Sequence, residues 1–261
     1  MKIEFLTQDD PLYVLPFFDE FVRHYASEFE IVHIATCPTM GKRSRSQMVK
    51  ELMQLYGTTG MARLVSRFGL SRLMGLLPRK SGASTYATLP QLCRAYGIAH
   101  TQIGNPNAQE FVDLVRGRAP DLLVSVACPY ILKEPLLTLA PKGAINIHHA
   151  PLPRYKGMMP TFWQMYHGEK TVGLTIHYMV AKLDEGQVLL QEQQPIIRGE
   201  TLDQLIRRSK RYGAHAMAKV LRQLRDGKSS PAVMDQSTGS YYTFPTADEI
   251  AEFHRRGMRA I

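Results

Sequence analysis

The 261-residue sequence predicts an α/β fold, a mostly parallel sheet covered by helices on both faces, with a helical insertion and a short C-terminal extension. Three observations carry that prediction. Apolar runs at 2–6, 30–36 and 122–127 have the length and β-branched content of buried strands. Helical patterns separate them, as crossovers between parallel strands require. Further on, 171–180 alternates and 187–197 is again extended, which suggests two closely paired strands.

In chain order, the strand at 2–6 leads through a DDP turn into an amphipathic helix over 11–25, and EIVHIAT forms the second strand. A helix opens at Thr88 and Pro90, a favoured cap followed by a favoured early residue. It presents Leu89, Leu92 and Ala95 on one side and stops at Gly97. A short strand at 100–103, a helix at 107–117, the strand at 122–127 and a helix at 131–139 follow. The apolar strand beginning at Gly143 comes next, and the run from Met158 to Trp163 starts another helix, in which Trp163 is expected to pack. A long helix runs from Thr201 to near Gly227, and the tail reads as a short strand pair and a small helix. Crossovers are expected to be right-handed. No linker divides the chain, so 1–228 reads as one domain and 229–261 as its extension.

Residues 39–82 stand apart as a basic insertion. Met61, Leu64, Val65, Phe68, Leu73, Leu76 and Leu77 share a helical stripe, with Arg63, Arg67 and Arg72 off its centre. The first reading is a helical pair packed on the body or on another subunit. A peripheral membrane contact is the second, and nucleic acid, for which no binding motif is present, is the third.

Composition narrows the classes. An apolar fraction of 44% supports a core and argues against bulk disorder. A formal charge of +9 favours phosphate-bearing or otherwise anionic partners. Cys37, Cys93 and Cys128 are scattered, which suits a reducing, cytoplasmic setting and neither a disulfide framework nor a cysteine zinc site. The N-terminus lacks a signal-peptide core, and no apolar run is long enough to span a bilayer. Neither G-x-G-x-x-G nor G-x-x-x-x-G-K-[ST] occurs.

The stretch GAINIHHAPLPRYKG, 143–157, carries the chemistry. Buried amides and imidazoles are costly unless paired, yet this strand holds Asn146, His148 and His149. Alternation puts Asn146 and His148 on one face and His149 on the other. Pro151 and Pro153 end the strand, which places the pair at the carboxyl end of a parallel strand, where open α/β sheets bind ligands. Two donors aimed at one point suit a developing oxyanion; the competing reading is that they cap neighbouring loops. Downstream, Asp184 sits in an L-D-x-G turn, either a plain turn or a third member of the site, and His177 reads equally as a core histidine.

The N-I-H segment, the L-P and basic-Gly turn, and TIHYMVAKLDEG together resemble the folate-dependent formyltransferase family. That family includes methionyl-tRNA, glycinamide ribonucleotide and sugar N-formyltransferases; the resemblance is clear over 84–226 and looser before. It implies a Rossmann-like formyltransferase fold and transfer of a formyl group from 10-formyltetrahydrofolate to an amine, with no metal. It maps the catalytic residues to Asn146, His148 and Asp184, with Asp184 orienting His148 and favouring its charged form. It puts folate against the backbone of Val126, Ala127, Ile131 and Leu132 and the loop of Gly186.

Where the family commonly reads H-P-S-L-L-P, this chain reads H-H-A-P-L-P, which makes His149 a substrate contact or a solvent-facing or loop-capping residue. Arg154, Lys156 and Tyr242 are further candidates for binding substrate, Tyr242 reading equally as aromatic packing. The methionyl-tRNA enzyme carries a C-terminal barrel for which the tail here is too short, and nucleic acid is not expected as a partner. The expected acceptor is therefore a nucleotide-linked amino sugar or another small or lipid-linked amine. The alternatives are a hydrolase using the same triad and a methionyl-tRNA formyltransferase-like enzyme lacking the barrel, with an idle binding protein last. A zinc enzyme is disfavoured because His148 and His149 point apart.

Overall fold

The computed structural model describes residues 1–38 and 44–261, so the start of the expected insertion, 39–43, lies outside the described residues. The chain runs β1 (Lys2–Gln8), α1 (Leu15–Tyr25), β2 (Glu30–Cys37), α2 (Arg45–Met74), α3 (Leu89–Tyr96), β3 (His100–Gln102), α4 (Gln109–Arg118) and β4 (Leu122–Val126). It continues through α5 (Leu136–Leu139), β5 (Ala144–His148), β6 (Lys156–Gly157), α6 (Pro160–Tyr166), β7 (Thr171–Tyr178) and β8 (Val188–Pro195). The last elements are α7 (Leu202–Arg225), β9 (Tyr241–Tyr242) and α8 (Ala247–Arg255).

Seven strands form one sheet in the order β3-β2-β1-β4-β5-β7-β8. The first five are parallel, and β7 and β8 join antiparallel at one side, as the mostly parallel expectation requires. Strand alternation divides the core between two faces. Ile3, Phe5, Val124, Ile145 and Ile147 pack with α1, α3 and α7, whereas Leu6, Leu123 and Ala144 pack with α4 and α5. The phenylalanines of α1 interlock with Phe5 edge to face, and all four rings are fully buried. Truncating one of them to alanine would cost about 3–5 kcal/mol.

Local chemistry explains the boundaries. Thr88 accepts a hydrogen bond from the Gln91 N–H, and Gly97 closes α3 in the left-handed conformation. Thr201 and Gln204 form a capping box at the start of α7. The helix expected over 11–25 begins only at Leu15, because the Asp10 carboxylate accepts from the Leu12 and Tyr13 N–H groups and holds a turn there. The helix expected over 131–139 shrinks to α5. Asn107 ties down the loop before it, donating to the Ile131 carbonyl and accepting from the Lys133 N–H.

One expectation is corrected: the tail does not form its own strand pair, since β9 lies parallel to β6, across the chain. The insertion does hold a helical pair, two helical segments within α2 that meet at a kink at Gly57, where φ is 64°. Its predicted stripe faces outward, since Val65, Phe68, Leu73, Leu76 and Leu77 are exposed and only Leu64 among the seven is buried. Leu55, Tyr56 and Leu64 instead pack into a cluster with Ile250 and Phe253 of α8.

Candidate active site

β5 ends at the carboxyl edge of the parallel strands, beside β4 and opposite β7. Its Asn146 pairs in register with Ser125 on one side and with His177 on the other. After His148 the chain turns sharply. Gln164 holds that turn by donating to the His149 carbonyl and accepting from the Gly173 N–H, while Thr175 donates to the Ala150 carbonyl.

Four polar side chains converge there. Asn146 Nδ2 lies 3.3 Å from His177 Nε2, His177 Nε2 lies 3.6 Å from Asp184 Oδ1, and His148 Nδ1 lies 3.8 Å from Asp184 Oδ2. His177 Nδ1–H donates to the Tyr178 carbonyl at 2.8 Å, which leaves Nε2 to accept from the Asn146 amide. That bond aims the amide, whose second N–H remains available. His148 Nε2–H donates to the Tyr155 carbonyl at 2.8 Å, so in the neutral ring the lone pair is on Nδ1, facing Asp184.

The electrostatics assign different states to these groups. Burial is the largest influence on His148 and outweighs Asp184 and the Tyr155 carbonyl, so its pKa lies below the ordinary value and the ring is neutral near pH 7. Asp184 favours the charged form of the ring, as expected, but burial outweighs it. Burial also opposes ionisation of Asp184, yet its contacts with His177 and His148 and the Gly157 N–H hold its pKa below the ordinary carboxylate value. Asp184 adopts a positive φ of 54°. Gly186 packs so tightly that a Cβ would overlap the Tyr178 carbonyl, which requires glycine and pins this loop to the end of β7.

The expected folate loop has mixed character. Val126 and Leu132 are sealed in the core and offer only backbone. The Val126 carbonyl accepts from Thr7 and the Ile131 carbonyl from Asn107. Ala127 turns the chain at a positive φ of 54°, and Ile131 projects into solvent.

The expected substrate contacts divide similarly. His149 is buried rather than solvent-facing; Nδ1 pairs with Ser209 Oγ at 3.0 Å, and Nε2 has no partner. Arg154 is committed to Glu169 at 2.9 Å and stacks on Tyr155. Lys156 reaches Glu185 and Gln236. Tyr242 stacks between Tyr155 and Trp163, and its hydroxyl pairs with His167, so it packs rather than lining an open site.

Sequence reasoning missed Lys210 and undervalued His177. Half-buried on α7, Lys210 bears electrostatically on His148, His149 and Asp10. Burial pushes its pKa down to about 8 against the opposing pull of Asp10. Two clefts, of about 330 and 250 Å³, contain none of Asn146, His148 and Asp184 and are lined instead by residues such as Lys170, Arg198, Arg259 and Arg67. Among the described residues no group of three or more His, Cys, Asp or Glu could hold a metal ion.

A parallel sheet with an antiparallel edge, and an amide, two imidazoles and a carboxylate at its rim, define an α/β protein with a polar site at the carboxyl edge of its sheet. A family model described as formyl transferase matches residues 76–221, and the chain belongs to that family. The methionyl-tRNA formyltransferase of Pelobacter propionicus is 36% identical over 151 residues, 58% of this chain and 47% of that protein. The chain thus spans about half the length of the curated relatives it matches. The glycinamide ribonucleotide transformylase 1 of Symbiobacterium toebii shares the fold with a TM-score of 0.60 at 16% identity, over 90% of this chain and 94% of that one. A formyltransferase from Anoxybacillus kamchatkensis, solved with UDP-4,6-dideoxy-4-formamido-L-AltNAc and tetrahydrofolate, has a TM-score of 0.50 at 16% identity, covering 93% and 85%.

Proposed function

We propose that this protein moves a formyl group from 10-formyltetrahydrofolate to an amine. The observation that carries the reading is the convergence of Asn146, His148 and Asp184, with His177, at the rim of the sheet. The donor fits this setting: the exposed apolar Ile131 stands on the loop after β4, and buried polar groups lie at the end of the adjoining β5. When bound, it supplies the electrophilic formyl carbon. Asn146, aimed by His177, donates its free N–H to the oxygen on which negative charge develops. His148 Nδ1 takes the proton that the attacking amine must lose, and this proton is available for the departing folate nitrogen, so the exchange balances with no net redox change. Ionised Asp184 steadies the imidazolium while it exists.

The acceptor we favour is a nucleotide-linked amino sugar or another small or lipid-linked amine carrying negative charge, which Lys210 would attract. The Anoxybacillus formyltransferase, of like fold and solved with a nucleotide-linked formamido sugar, supports that choice. Identity to methionyl-tRNA formyltransferases over 151 residues favours a second reading, an aminoacyl-tRNA amine, and brings nucleic acid back as a partner.

The test is a mass-spectrometric screen with 10-formyltetrahydrofolate. Amino sugar nucleotides, lipid-linked amines and methionyl-tRNA serve as acceptors, and a no-acceptor control reports formate release. A formylated product is expected, and Asn146→Ala should lower kcat about 10²–10³-fold. Formate without any formylated amine would establish the hydrolase instead, and a near-normal Asn146→Ala rate would remove that residue from the chemistry.

A further inference from the structure

We infer that the outward face of α2 docks on an anionic bilayer surface. The orientation of this helix is set by packing. Gly60 sits so close to the end of the chain that a Cβ would lie 3.0 Å from Ile261 Cγ2 and 3.1 Å from Tyr56 Cβ. At Gly75 a Cβ would come within 2.5 Å of Thr88 Cγ2. With Leu55, Tyr56 and Leu64 buried against α8, the opposite side must face outward.

That side is apolar. Val65, Leu70 and Leu73 of the helix are 59%, 60% and 64% exposed. Leu76 and Leu77, 78% and 49% exposed, extend the apolar surface into the turn that follows Met74. The helical part, from Val65 to Leu73, extends over roughly 12 Å at 1.5 Å per residue. Single exposed leucines are ordinary, whereas a continuous stripe marks a contact surface.

Charge selects the occupant. From 52 to 109 the sequence contains no Asp or Glu. Arg79 and Lys80 are exposed, and neither has an acidic partner among the described residues, whereas Arg63 lines the cleft with Arg67 and Asp203. Arg67 and Arg72 turn back to Asp203 and Asp9, tying the helix to the body. A second copy of this chain would set like charges against one another. A nucleic acid would satisfy the cations and leave the leucines in water. Anionic lipid satisfies both, with acyl chains for the stripe and headgroup phosphates for the cations. Among the described residues no helix is long and apolar enough to cross a membrane, so attachment through α2 lies in the interface.

The test is co-sedimentation of the full chain with phosphatidylcholine vesicles prepared with and without phosphatidylglycerol. Binding is expected only with phosphatidylglycerol and should fall as salt rises. Leu73→Glu with Leu76→Glu should abolish it. Replacing Arg79 and Lys80 by serine should weaken it about 30-fold, each cation near a charged surface contributing roughly equally. Leu114→Glu, at a residue 53% exposed on α4, should leave it unchanged. All these positions are exposed, and circular dichroism verifies folding. The inference is overturned if the protein ignores phosphatidylglycerol vesicles or if binding survives the leucine changes. A dimer that those changes dissociate would overturn it too, by assigning the face to a second copy.

Discussion

Acid should destabilise this protein through buried neutral histidines, and His149 provides the measurable case. The ring is 6% exposed, with one nitrogen on Ser209 Oγ and the other unpartnered. Burial, then the nearby positive charges of Lys210 and His148, hold its pKa well below 6.5. The unfolded chain protonates this ring near pH 6.5, and the folded chain does so only at much lower pH. Between those values the unfolded state binds one more proton, so the stabilisation is present above pH 6.5 and is lost as pH falls through the folded pKa. One such proton corresponds to a slope of about 1.4 kcal/mol per pH unit. His148 and His100, lowered by burial in the same way, steepen the total. His149→Leu removes one of the three titrations and leaves Ser209 without that partner, a penalty of about 1–3 kcal/mol that does not depend on pH. The stability gap between wild type and variant should therefore shift by about 1.4 kcal/mol in the variant's favour for each unit below pH 6.5. Urea unfolding from pH 8 to 5 at fixed ionic strength, followed by the fluorescence of buried Trp163, measures the gap. Parallel stability curves across that range would refute the reasoning.

Two further predictions concern the rim. Because His148 must be neutral to accept a proton, kcat should fall on an acid limb below pH 6.5. Asp184→Asn removes the charge that raises the His148 pKa, so a pH–rate profile should show that limb moved lower, with a rate reduced at least tenfold. Gly157→Ala should destabilise by about 1–3 kcal/mol in urea titrations, since φ there is 93° and a Cβ would overlap the Tyr242 carbonyl. An unchanged midpoint would contradict that geometry.

Period-two alternation was enough to put Asn146 and His148 on one face, and the flanking prolines located the end of the strand. The joint pattern with L-D-E-G pointed to Asp184. His177 was ambiguous because its partnership with Asn146 depends on antiparallel register, which is set by the β7–β8 hairpin and by β5 together. Lys210 carried no local signal, as it reaches the site only through the packing of α7 on the sheet. The outward stripe of α2 was left between a packed and a peripheral reading for a physical reason. Apolar periodicity reports a face that avoids water, and without knowing what Gly60 approaches, it does not say which surface the face meets.

The parallel pairing of β6 with β9 gives a distant part of the chain a grip on the Asp184 carboxylate. Lys156 N–H bonds to the Ser240 carbonyl and Met158 N–H to the Tyr242 carbonyl, while the Gly157 N–H between them is left to turn toward Asp184. A segment distant in sequence thus acts as a clasp that tunes the strength of an acid. Exchanging tails between relatives would then alter proton handling even with every rim side chain retained, and a fusion that loosens the clasp would register first in the pH–rate profile.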